Sequence, residues 1–273
     1  MTRPGVRKKH LGGFGLSFLN DAAGPNREFT TQQISVAGAH NLHLNRHGNN
    51  IITLALQAGA TQQRVNFSDL RWASQYSTFT GYDPTMPGEA SNLNQQLFHP
   101  LLNAGAMWYY TNKQRNASFY STSIYNGISV SNLLSYNSFF PGAASSSQIL
   151  YKVHGGWTST YSRTLELSPN YMVQVQGHNI QVNLGMYAGY TVFAPRQSRG
   201  GATKLQAGVW YRLQDSFIVS TGLGNELWNF GFSYDSNVFS LSRAFGYGIA
   251  YEVSMTYRIP GRNAFKRFSS PLI

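Results

Sequence analysis

Period-two alternation runs from one end of this 273-residue chain to the other, and it limits the fold more than any other feature. From Leu165 the apolar series is Leu165, Leu167, Pro169, Tyr171, Val173 and Val175, set against Glu166, Ser168, Asn170, Met172 and Gln174. Beyond Gly177 and His178 a second series reads Ile180, Val182, Leu184, Met186, Ala188 and Tyr190, against Gln181, Asn183 and Gly185. Leu205 to Tyr211, Trp228 to Tyr234 and Tyr247 to Tyr257 repeat the pattern, with Lys204, Gln206, Arg212, Asn229, Ser233, Asp235, Glu252, Ser254 and Arg258 on their other faces. Successive side chains of a strand point to opposite faces, so each segment offers one apolar and one polar face. Weaker segments of the same kind cover 12–19, 34–44, 51–60, 104–111, 119–130, 149–161 and 217–223. The pattern predicts an all-β chain of about twelve strands with no long helix.

Turn-forming residues fall between these segments at 20–25, 45–50, 112–116 and 214–215. Two stretches are too long for turns: 62–102, with Pro84, Pro87 and Pro100, and the Ser-rich 131–147. Both are expected to be large loops, with room for a short helix. The whole of 1–273 is expected to form a single domain, ending in a basic tail over 260–273.

The chemistry of the polar face separates the possible β classes. Only 11% of residues are charged, where a soluble domain carries about 25%. The polar strand positions hold mostly Ser, Thr, Asn, Gln and Gly rather than Lys and Glu. In a transmembrane barrel the apolar face meets lipid and small polar residues line the interior. Strand length agrees, because a tilted membrane-crossing strand takes about 9 to 11 residues and a soluble one about 5 to 6. Trp108, Tyr109, Tyr110, Trp157, Tyr161, Trp210, Tyr211, Trp228 and Tyr257 lie near strand ends, as interfacial aromatic girdles do. The expectation is a transmembrane antiparallel β-barrel. Counting back from a periplasmic end near Arg258 puts both large loops outside, with 20–29, 177–178, 214–215 and 236–245. The same count puts 45–50, 112–116, 194–202 and the break near Ser162 inside.

Other classes are excluded on simple grounds. The longest apolar run, 51–60, is interrupted by Thr53 and Gln57, far short of the about 18 residues of a transmembrane helix. With no cysteine, disulfide scaffolds, thiol nucleophiles and cysteine metal sites are absent. The net charge of +11 is scattered over turns, strand positions and the two ends rather than gathered in a stripe, so nucleic acid is not an expected partner. Residues 1–19 alternate and include several glycines, which suits a strand better than a signal peptide. That points to a truncated or misplaced start, and to about fourteen strands if it is restored.

Candidate chemical sites are few. His40 and His43 point to opposite faces of a strand, and His43 to His47 spans about 13 Å at about 3.3 Å per residue, too far for one metal. Asp69, Asp83 and Glu89 share one loop and are expected to be solvated carboxylates, with a cation site as the alternative. His154 and Glu166 are too generic to mark an enzyme. No catalytic, cofactor-binding or metal-binding residue is nominated. The charges Lys152, Glu166, Lys204, Arg212, Asp235, Glu252 and Arg258 would converge inside a barrel, where mutual pairing is the expected reading and a selectivity or ligand site the alternative.

Several segments together resemble one family. They are Gly13 to Gly24 (GFGLSFLNDAAG), Met107 to Thr111 (MWYYT), Leu165 to Tyr171 (LELSPNY), Gly208 to Arg212 (GVWYR), Gly231 to Asp235 (GFSYD) and Tyr251 to Tyr257 (YEVSMTY). In this order they resemble the PorP/SprF outer-membrane proteins of the type IX secretion and gliding machinery of Bacteroidota. Where that family usually has a His-Glu pair in the last motif, this chain has Tyr251 and Glu252. The resemblance implies a non-enzymatic barrel in the cell outer membrane, without a cofactor, surrounded by outer-membrane lipid. Its implied partners are type IX secretion components and exported proteins with a C-terminal sorting domain, gliding adhesins included. The alternative is an outer-membrane porin or hydrophobic-solute transporter.

Overall fold

The structure, a computed structural model, describes residues 12–24, 27–45, 49–66, 71–86, 88, 96–112, 121–134, 148–162, 164–193, 202–225, 227–237 and 249–258. Among these residues there are twelve long strands: β1 (Gly12–Ala23), β2 (Phe29–His43), β3 (Asn50–Val65), β6 (Gln96–Thr111), β7 (Thr122–Ser131), β8 (Leu150–Thr160), β9 (Leu165–Gln176), β10 (Asn179–Phe193), β11 (Thr203–Arg212), β12 (Ser216–Gly224), β13 (Trp228–Asn237) and β14 (Ile249–Tyr257). The short β4 (Tyr76–Ser77) and β5 (Gly81–Tyr82) form a separate hairpin. The long strands make one antiparallel sheet, each beside its predecessor in the chain, running from β1 to β14. The closed barrel expected from the sequence is not formed. Among the described residues β1 and β14 are the ends of the strand order and do not pair with each other. Strand alternation is a local property, whereas closure requires one pairing between strands more than two hundred residues apart, which no local pattern encodes.

Every predicted strand is found, and the differences lie at their ends. β1 continues to Ala23 through residues expected to turn, because Asn20 stays paired with Gln32 and Asp21 with Thr31, and Gln32 Nε2 donates to Asn20 Oδ1 at 3.2 Å. The turn follows at Gly24, with φ +92°. β3 and β6 each extend into the expected loop 62–102, reaching Val65 and starting at Gln96. Pro100 does not break β6, since its fixed φ is compatible with extended backbone. The expected short helix is one 3₁₀ turn, Ala73–Gln75. Phe119, Tyr247, most of 131–147 and the tail 260–273 lie outside the described residues.

Contacts gather the chain into two units, one of 1–42, 53–106 and 129–151 and the other of 43–52, 107–128 and 152–273. In the first, side chains of one face are joined across neighbouring strands. Ser17 and Ser35 share a hydrogen bond of 2.7 Å, Gln57 Nε2 donates to Ser35 Oγ at 2.7 Å and Asn103 Nδ2 to Gln57 Oε1 at 3.0 Å. The opposite face of the same strands carries Phe14, Leu16, Phe18, Ile34, Val36, Leu54 and Leu56, all exposed. At one end of this unit, at the start of the large loop, the Asn66 N–H donates to Glu28 O at 2.7 Å.

The second unit is held by antiparallel registers from β9 to β14, with one shift between Thr191 and Phe193 of β10. Gly177 takes φ +59° in the β9–β10 turn, a conformation glycine adopts without steric cost. Asn225 accepts the Leu227 and Trp228 N–H groups at 2.8 and 3.1 Å, an Asx turn that starts β13. The Gly177 turn and the β11–β12 turn, closed by the Asp215 N–H donating to Arg212 O at 3.1 Å, agree with the chain reversals expected at 177–178 and 214–215. Trp108, Trp157, Trp228 and Tyr257 stand on the apolar face at strand ends on one side of this unit, and Trp108 Nε1 donates to Asn50 Oδ1 at 2.8 Å. Trp210 departs from the girdle expectation. Its register partner Gly185 pairs in turn with Asn170, so Trp210 lies on the polar face.

Candidate functional site

Burial in both units is inverted relative to a water-soluble protein. Among the described residues, glycine and alanine apart, the buried side chains are the polar Ser35, Thr61, Gln75, His99, Ser168, Asn170, Asn183 and Ser216, against Ile51, Val65, Leu101 and Tyr125 among the apolar ones. Leu, Ile, Val and Phe are normally the side chains most often buried. Here the apolar faces of β10 to β14 expose Ile180, Leu184, Val209, Phe217, Val219, Phe230, Val253 and Met255. Single exposed apolar residues are ordinary, but continuous patches beyond a few hundred Å² mark a partner or a membrane.

The charges expected to gather on the polar face do so in part. Lys204 Nζ on β11 meets Glu166 Oε2 on β9 at 2.6 Å, diagonally across β10, where Thr191 stands opposite Lys204 and Gly189 opposite Glu166. Arg212 Nη1 meets Asp215 at 2.8 Å and its Nη2 meets Asp235 at 3.1 Å, tying the β11–β12 turn to β13. Among the described residues Lys152, Glu252 and Arg258 have no ion pair. The expected mutual pairing therefore holds for Glu166, Lys204, Arg212 and Asp235. His154 lies over Gly127, its ring centroid 6.3 Å from that of Tyr125, while Glu166 is engaged by Lys204.

Of the other sites weighed, His40 pairs with Gly12 and lies on the apolar face, opposite in parity to His43. His47, Asp69 and Glu89 lie outside the described residues. Asp83 Oδ1 accepts from the Thr85 N–H at 2.9 Å and from its hydroxyl at 2.6 Å. Those two bonds hold the Asp83 carboxyl below its usual value. Among the described residues no group of three His, Asp or Glu side chains is placed to hold a metal.

One feature without a sequence signal lies in the first large loop. Residues 71–86 form a self-bound element around Gln75, whose Oε1 accepts the Trp72 N–H at 3.0 Å, whose Nε2 donates to Met86 O at 3.0 Å and whose carbonyl accepts the Asp83 N–H at 2.8 Å. The Arg71 guanidinium lies 4.8 Å from the Tyr82 ring centroid, and the rings of Tyr76 and Tyr82 are 5.4 Å apart. At the hairpin tip Phe79 is 97% exposed. The scaffold is irregular, so no periodicity announces it.

The model of the family described as type IX secretion system membrane protein PorP/SprF matches residues 5–257 of this chain. The chain belongs to the PorP/SprF family. No characterised protein and no solved structure matches it significantly. This family is a membrane component of type IX secretion, which places the chain among the components of that system. The segments that carried the resemblance map onto the sheet: β1 with its turn, the end of β6, and β9, β11, β13 and β14. In the last of them Tyr251 packs outward, 5.3 Å from Tyr234 and 6.2 Å from Phe232 by ring centroid. Glu252 falls on the polar face, opposite Ser233.

Proposed function

We propose that this chain is a non-enzymatic outer-membrane component of the type IX machinery, and that it assists export or surface anchoring of proteins with a C-terminal sorting domain. The observation that carries the membrane reading is the inverted burial, a polar face packed inward and an apolar face left open. Hydrocarbon tolerates no unpaired sheet edge, because each unsatisfied backbone group there costs several kcal/mol. In the membrane the free edges of β1 and β14 must therefore be paired, and closing the sheet into a barrel is the simplest pairing. Strand lengths of 9 to 16 residues are sufficient to cross a bilayer.

The cargo-contacting part is the loop end of the first unit, where 66–95 and 132–149 emerge between β3 and β6 and between β7 and β8. The self-bound 71–86 element gives that end a hydrogen-bonded support with an exposed aromatic tip, the kind of residue that anchors protein interfaces. Outer-membrane lipid covers the apolar face. Two measurements test the reading. Fractionation with heat-modifiable gel mobility should recover the protein in the outer membrane with an unheated shift, and a soluble, unshifted product would overturn the membrane assignment. Deleting 71–86, with that shift intact, should abolish surface retention of the exported protein; unchanged retention refutes the loop assignment.

A further inference from the structure

A side chain that lines a water-filled passage keeps much of its surface wet. The polar face of the second unit does the opposite over its middle strands: Tyr125 is 2% exposed, Ser216 is 0% exposed, and Ser168, Asn170 and Asn183 are also buried. Among them, aromatic rings are seated over glycines. Trp210 of β11 lies on its register partner Gly185 of β10, and Tyr187 of β10 lies on its register partner Gly208 of β11. A Cβ on either glycine would collide with the ring above it, so the glycines are what let the rings approach the backbone. The two rings meet edge to face, with centroids 5.8 Å apart and planes at 69°, a favourable aromatic geometry.

Toward β7 and β8 the layer continues. His154 lies over Gly127 beside Tyr125. The Tyr125 hydroxyl donates to Asn170 Oδ1 at 2.5 Å, Asn170 Nδ2 donates to Ser168 O at 2.8 Å, and Ser168 shares a 2.9 Å hydrogen bond with Thr158. The polar atoms needed to wet a channel are thus spent on one another. The geometry points to a seal: Tyr125, His154, Asn170, Tyr187 and Trp210 close the polar face against ions, so that this membrane component does not conduct as a porin does. The inference rests on the membrane reading above, but not on the identity of the exported cargo.

The test is current through planar lipid bilayers in potassium chloride, with purified full-length protein whose insertion is established separately by heat-modifiable mobility. Inserted wild type is expected to give no current steps, and the double variant Tyr187→Ala/Trp210→Ala discrete steps. Trp210→Phe, which keeps a ring on Gly185, should stay silent. Should the double variant fail to insert, Trp210→Ala alone is read in its place. Steps from wild type overturn the seal, and silence from an inserted alanine variant overturns the residues assigned to it. A protein that does not insert at all overturns instead the membrane reading on which the seal depends.

Discussion

Replacing Val219 by arginine separates a lipid-facing surface from a wet one by energy alone. Val219 lies next to the middle of the nine-residue β12, 55% exposed, with Val209 and Tyr234 as its register partners on the same face. At the midplane of a bilayer an arginine on the lipid face costs about 2–4 kcal/mol. Taking about 3, at about 1.4 kcal/mol per factor of ten, Val219→Arg should lower the folded-to-unfolded ratio about a hundredfold. On a water-facing surface the same exposed substitution would stay within about 0.5 kcal/mol. Phe79→Arg, at the exposed tip of the loop hairpin, supplies the wet control and should lie in that small range. The assay is guanidinium unfolding of vesicle-inserted protein, followed by tryptophan fluorescence and by the heat-modifiable band. If Val219→Arg costs no more than Phe79→Arg, the apolar face does not sit in hydrocarbon and the inverted burial needs another explanation.

The polar face supplies further tests by the same assay. Asn170→Ala strands the buried Tyr125 hydroxyl and should cost about 1–3 kcal/mol, whereas Ser220→Ala, whose buried Oγ has no partner among the described residues, should be near neutral; equal costs would refute the assignment of partners. For Glu166 and Lys204, whose side chains are partly exposed, a double-mutant cycle of Glu166→Gln and Lys204→Met should give a coupling of at most about 1 kcal/mol that shrinks in high salt. A larger, salt-independent coupling would mean a drier interior. Asp83 has a pKa lowered by its Thr85 hydrogen bonds from an ordinary 3.8, so its contribution is fully present above pH 3.8 and is lost as pH falls through the lowered value. The Thr85 amide shift of the reconstituted protein should titrate with a midpoint below 3.8, and a midpoint at or above it refutes the bond.

What could be read from the sequence, and what could not, divides along the line between parity and register. Parity is local: a strand alternates whatever its neighbours do, so twelve strands and the face of every charge in the pair Glu166 and Lys204 were legible before any contact was known. Strand ends were less so, since Asn20 and Asp21 are turn formers that stay in β1 only because Gln32 and Thr31 stand opposite them. Trp210 shows the limit most clearly. Its parity already put it with Lys204 and Arg212 on the polar face, yet its residue type argued for an interfacial girdle. The conflict resolves only through register, which brings Gly185 opposite and gives the ring a place to lie. Gly185 and Gly208 read in sequence as weak points of strands, because glycine there loses entropy and offers no side chain to pack. Paired with Trp210 and Tyr187 they become the positions that allow a wide polar face to be filled. A sheet that must keep its apolar residues outward has few large side chains left for its interior, and aromatic rings set on glycines fill that space without adding charge.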